Sequence, residues 1–101
     1  MQDLDSFIKN NDVFAATAMS ILNTFFGCFN FDYCILDEAS LITEPLSIGP
    51  ILMADKFIMV GDYYILNPPV KNNDAEKRGL SISLFRKLSE KYPYDVVLLK
   101  K

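Results

Sequence analysis

Two carboxylates stand side by side at Asp37-Glu38, directly after an apolar stretch, and a third, Asp62, follows a second apolar stretch and a glycine. Paired acids suit phosphoryl transfer, in which the protein chiefly positions groups and offsets charge. One acid holds magnesium, often through water, and another accepts a proton from the attacking water. The chain has no histidine, which removes the commonest general base and the commonest zinc ligand, so acid-base work falls on carboxylates. The ordinary alternative is that an Asp-Glu pair merely ends a strand in solvent.

Other candidates carry less chemistry. Cys28 and Cys34 are separated by five residues across an apolar run. That matches neither a Cys-x-x-Cys redox pair nor a zinc cluster, so both read as reduced packing residues. Tyr63 and Tyr64, next to Asp62, could stack on nucleic-acid bases, although packing or plain exposure is the commoner role of such residues.

The acids need a frame to hold them. Phe31 to Leu36 (FDYCIL) is apolar or aromatic at almost every position, as in a parallel strand covered on both faces. Thr43 can cap a helix over Glu44 to Ala54, with Pro45 in its first turn and Gly49-Pro50 bending or breaking it. Lys56 to Val60 (KFIMV) then reads as a second strand ending in Gly61-Asp62. Strand, acidic loop, helix, strand and acidic loop make a β-α-β unit. Ligands of parallel sheets bind beyond the carboxyl ends of the strands, which places all three carboxylates near one edge.

Around this unit the pattern is looser. Asp12 to Ala18 could form a strand, and Ser20 to Phe26 a short helix or turn. Asn67-Pro68-Pro69 predicts irregular backbone, and Asn72 to Arg78 a charged, exposed stretch. Leu80 to Glu90 predicts an amphipathic helix with Leu80, Leu84, Phe85 and Leu88 on one face, ended by Tyr92-Pro93. Val96 to Leu99 would supply a last strand.

Half of the 101 residues are hydrophobic and 23% are charged, which fits one globular segment without repeats or linkers. The net charge of -3 gives no basic surplus for nucleic acid, so any DNA binding must borrow charge from elsewhere. The first residues lack the basic start and apolar stretch of a signal peptide, and no run approaches the roughly 18 apolar residues of a membrane span. An intracellular protein, neither secreted nor in a membrane, is expected.

The wording FDYCILDEAS, followed by FIMVGD and a proline pair, resembles the acidic box and the G-D-x-x-Q-L-P-P box of superfamily 1 helicases of the Upf-like group. The stretch from Phe31 to roughly Tyr92 is similar to the eukaryotic DNA replication ATP-dependent helicase/nuclease family, and Val13 to Ala18 resembles that family's strand and turn just upstream. The resemblance implies an α/β fold, specifically a partial RecA-like (P-loop NTPase) domain with a mostly parallel sheet. Residues 1–101 would then be part of the first motor domain, from the acidic magnesium box to just before the Gln-Tyr-Arg box.

In that family Asp37 would coordinate the magnesium of MgATP and Glu38 would polarise the hydrolytic water. Asp62 would belong to the box that senses the terminal phosphate and links hydrolysis to DNA movement, while Ala39 and Ser40 keep the acidic turn tight. The implied cofactor is Mg2+ with ATP, and the implied partner is single-stranded DNA, in a nuclear protein of DNA replication and repair that needs the rest of the motor core. The family's nuclease carboxylates and iron-sulfur cysteines belong to a separate upstream domain, so no nuclease site carries over.

The chain departs from the family pattern at particular positions. Leu41 and Ile65 each stand where the family has Gln, and Asn67 replaces the first proline of the pair. Isoleucine cannot hydrogen-bond a phosphate. The four glycines are followed by Cys28, Pro50, Asp62 and Leu80, so no Gly-Lys phosphate-binding loop is present. Neither Arg78 nor Arg86 is placed as an arginine finger. In a RecA-like arrangement the strand of the phosphate loop lies beside the one ending at Asp62, so its absence would leave an apolar edge that promotes association. The expected function is therefore part of an ATP-dependent helicase, inactive as an isolated piece. The alternative is a degenerate, non-enzymatic paralogue or interaction module, for which Ile65 is the best sequence support.

Overall fold

A computed structural model describes residues 6–7, 9–22 and 29–100. Its framework is α/β: strand β1 (Phe31–Leu36), helix α1 (Glu44–Leu52) and strand β2 (Ala54–Met59) form a β-α-β unit. Helices α2 (Asn73–Lys77) and α3 (Leu84–Lys91) follow it. The strands are parallel, with Tyr33 opposite Lys56, Ile35 opposite Ile58 and Leu36 opposite Met59.

β1 matches its predicted bounds, but only one face is covered. Leu36 is buried and Cys34 half-buried, whereas Tyr33 and Ile35, pointing the other way, are 58% and 66% exposed. Lys56 covers part of this open face, its Nζ 5.8 Å from the centre of the Tyr33 ring. Both faces carry apolar residues, yet the described residues supply one helical layer. On the covered side, burial pushes the thiol of Cys34 above its ordinary pKa, and this cysteine is free. Cys28 lies outside the described residues.

Thr43 precedes α1 in extended backbone, but its side chain makes no cap. Its carbonyl instead accepts from both the amide and the hydroxyl of Ser47, at 3.1 and 3.2 Å. Pro50 sits inside α1 without breaking it. Proline removes a hydrogen bond to the preceding turn, and here the helix runs only two residues further, to Leu52 rather than Ala54. Ser47 and Pro50 are fully buried, so α1 packs on both strands through small or compact side chains.

Two predicted strands do not form. Residues 13–17 and 96–100 are irregular, because neither segment finds a ladder partner among the described residues. Ser20–Leu22 is a 3-10 turn, and the rest of the predicted Ser20 to Phe26 element lies outside the described residues. Aromatic contacts anchor the upstream segment instead. The Phe14 ring lies 5.9 Å from Phe7 and 5.7 Å from Phe31, at the start of β1.

The charged stretch after the prolines is exposed as expected but helical. Asn72 Oδ1 accepts from the amides of Asp74 and Ala75, capping the start of α2. At the other end Gly79, at φ +96°, lets its own amide reach the Glu76 carbonyl and that of Leu80 reach Ala75. This is a Schellman closure. Double capping explains how a five-residue helix persists without a buried face.

α3 begins at Leu84 rather than Leu80, because Ser83 is its N-cap: the hydroxyl accepts from the Arg86 amide at 3.1 Å. Ser83 is completely buried, so no water can replace its hydroxyl. Ser83→Ala should therefore lower the unfolding free energy by about 1 kcal/mol, read by urea denaturation. An unchanged midpoint would show that the cap contributes nothing.

Candidate functional site

The site forms where the parallel ladder runs past the end of β1. In a regular parallel ladder a residue donates to one carbonyl and accepts from an amide two positions further along the partner strand. The Val60 amide donates to the Leu36 carbonyl at 2.8 Å, but the Val60 carbonyl accepts from Ala39, also at 2.8 Å. That is three positions along, not two. One extra residue is inserted, and Asp37-Glu38 bulges out of the sheet as an exposed turn.

The insertion has two local supports. Glu38 takes a left-handed backbone, φ 52° and ψ 37°, and no other non-glycine residue described does so. Its amide, displaced from the ladder, donates to Asp37 Oδ1 at 2.9 Å. Ala39–Leu41 then forms a 3-10 turn against α3, with Ala39 and Ser40 buried.

The loop after β2 is fastened to this turn. The Asp62 amide donates to Ser40 Oγ at 3.3 Å, and a Cβ on Gly61 would lie 2.9 Å from the Ser40 amide nitrogen. Only glycine fits there without displacing backbone. Asp62 Oδ1 accepts from the Tyr64 amide at 3.0 Å, closing the loop on itself. Asp37, Glu38 and Asp62 are thus all exposed at the carboxyl edge of the two strands.

These three acids share an edge without converging. Among the described residues no group of three His, Cys, Asp or Glu side chains could hold a metal ion. Magnesium needs less from a protein when phosphates and water complete its shell, and one or two carboxylates suffice. Asp37, a hard oxygen donor with one carboxylate oxygen engaged by the Glu38 amide, fits that smaller role.

Other marked residues are placed less centrally. Ile65 is 73% exposed, so it is not retained as a core residue. Arg78 ends α2. Arg86 is on α3, where its Nε binds Glu90 at 3.0 Å and its guanidinium lies 5.9 Å from the Tyr63 ring. The residue types gave no sign of the Val60–Ala39 bond. Gly61 was the available signal, since a glycine at a strand end marks close backbone approach.

Comparison with known proteins agrees with this framework. The model of the AAA domain family matches residues 1–73, and the chain belongs to that family. It is 43% identical over 99% of its length to the DNA replication ATP-dependent helicase/nuclease dna2 of Schizosaccharomyces pombe, of which it covers 7%. Identity to the DNA replication ATP-dependent helicase/nuclease JHS1 of Arabidopsis thaliana is 40%, with 99% of this chain and 8% of that protein covered. For the Saccharomyces cerevisiae protein, DNA2, the values are 44%, 96% and 6%. The chain therefore spans less than a tenth of the length of these relatives.

The geometry of Glu38 generates a stability test. A non-glycine residue in left-handed backbone carries a cost of about 1–2 kcal/mol, partly offset by the greater unfolded-state freedom of glycine. Glu38→Gly should raise the unfolding free energy by about 0.5–1 kcal/mol in thermal or urea denaturation. Destabilisation would mean that Glu38 is not held left-handed.

Proposed function

We propose that residues 1–101 are part of the first, RecA-like motor domain of an ATP-dependent DNA helicase acting in nuclear DNA replication and repair. The observation that carries this reading is the inserted residue that lifts Asp37-Glu38 out of the ladder while Ala39 and Ser40 bind the next loop. The names and identities of the relatives support the class of protein.

On this reading Asp37 holds the magnesium of MgATP through a hard carboxylate oxygen. The bound ion supplies charge neutralisation on the phosphate oxygens. Glu38, exposed beside it, accepts a proton from the attacking water. Asp62 belongs to a loop tied to the same turn by Ser40, so displacement of either loop is felt by the other. The segment supplies half of a site, and the phosphate cradle and the remainder of the single-stranded DNA track come from the rest of the motor core.

A second reading, a non-enzymatic binding module descended from the motor fold, is favoured by one residue. Ile65 presents an apolar side chain to solvent where a phosphate-sensing loop calls for a hydrogen-bonding one.

One experiment separates the two. The segment is substituted for its matching 100 residues in the Schizosaccharomyces pombe relative, and ATP turnover is measured with magnesium. The motor reading expects turnover in the chimera, a loss of about 100- to 10,000-fold with Glu38→Gln, and none from the isolated chain. Turnover insensitive to Glu38→Gln would overturn its assigned role. A folded chimera without turnover would favour the module, and Glu38-dependent turnover by the isolated chain would refute the need for the rest of the core.

A further inference from the structure

Hydrolysis makes no use of Tyr63 and Tyr64, yet the structure holds them in a defined arrangement. Their ring centres are 4.5 Å apart with the planes 31° from parallel, and the Tyr63 hydroxyl donates to that of Tyr64 at 3.3 Å. This bond is the chief reason that the Tyr63 phenol is raised above its ordinary pKa, because deprotonation would remove the donor. Behind Tyr63, the Phe85 ring of α3 meets it edge-on at 6.1 Å, and Arg86 lies over it.

Tyr64 is the outermost member of this stack and is 86% exposed. An exposed tyrosine ordinarily samples several rotamers and loses that freedom on binding. Here the Tyr64 amide is bonded to Asp62 and the ring packs on Tyr63, which narrows that freedom. One ring face meets Tyr63, and the other is open. Arg86 binds Glu90 through Nε, and among the described residues no hydrogen bond engages its terminal guanidinium nitrogens.

An open π-face, with a cation one ring away over Tyr63, fits an unpaired nucleobase and a phosphate of the same strand. The net charge of -3 supplies no general attraction for nucleic acid, so binding must come from local contacts of this kind. We propose that Tyr64, backed by Tyr63, is a stacking step for one unpaired base of single-stranded DNA, with Arg86 pairing to a phosphate of that strand. The choice of DNA rests on the helicase reading. The ordering of the stack does not.

The test titrates the 101-residue chain at low salt with a single-stranded oligodeoxyadenylate of about eight nucleotides, within the roughly 4–16 of known single-strand sites. An abasic oligonucleotide with the same number of phosphates is the control. Affinity is read by anisotropy, and the Tyr64 ring protons by NMR. Tyr64→Ala should weaken binding about 5- to 100-fold, Tyr64→Phe should stay near wild type, and the Tyr64 ring protons should shift upfield on binding. Circular dichroism checks that the variants keep their fold.

Wild type that fails to bind the oligodeoxyadenylate, equal binding of the abasic strand, or Tyr64→Ala binding as wild type does would each overturn the proposal. So would a Tyr64→Phe variant as weak as Tyr64→Ala. The Glu38-dependent turnover of the chimera is scored separately, so failure of the stack is distinguishable from failure of the helicase reading.

Discussion

A parallel ladder with one residue too many must put that residue somewhere. Here Val60 is bonded to Leu36 on one side and to Ala39 on the other, so the intervening Asp37 and Glu38 leave the sheet together. The displaced amide of Glu38 is satisfied by the neighbouring Asp37 carboxylate, and the turn closes because Glu38 adopts a left-handed backbone. Exposure of the acids, burial of Ala39 and Ser40, and the need for glycine at position 61 are consequences of that single offset. Backbone strain of this kind persists only where the surroundings over-determine it.

The helices supply that surrounding. α1 returns the chain from β1 to β2 and lies on both strands, while α3 packs against the 3-10 turn that follows the acids. Glu44 at the start of α1 forms an ion pair with Lys87 of α3, joining the two helices at the surface. Such a partly exposed pair contributes at most about 1 kcal/mol. Packing beneath the turn, not this pair, holds the loops together. Ser83 contributes by starting α3 with a buried cap.

Much of this was legible in the residues. A continuous apolar run gave β1 its bounds, Asp37 marked its end, β2 lies at Ala54–Met59 rather than the expected Lys56 to Val60, and the spacing of Leu84, Phe85 and Leu88 gave α3 its face. What failed has a common cause, since strand propensity creates no strand without a partner edge. Residues 13–17 and Val96 to Leu99 have suitable side chains and no ladder. The apolar composition of β1 likewise suggested cover on both faces, yet among the described residues Tyr33 and Ile35 have no layer above them. In the opposite direction, α2 was hidden by its charge. The signal for it was a capping Asn72 and a terminating Gly79 at the right separation.

The acidic site was legible as residue types, not as backbone. Glutamate has no particular affinity for left-handed conformation, so neither its φ angle nor the ladder offset could be read from Asp-Glu. That offset is the central physical claim, and NMR coupling across hydrogen bonds measures it directly in the isotopically labelled chain. A coupling should connect the Ala39 nitrogen to the Val60 carbonyl carbon, with none from Glu38 to that carbonyl. A coupling from Glu38 to Val60 would mean a regular ladder, and the account of how the acids are presented would be wrong.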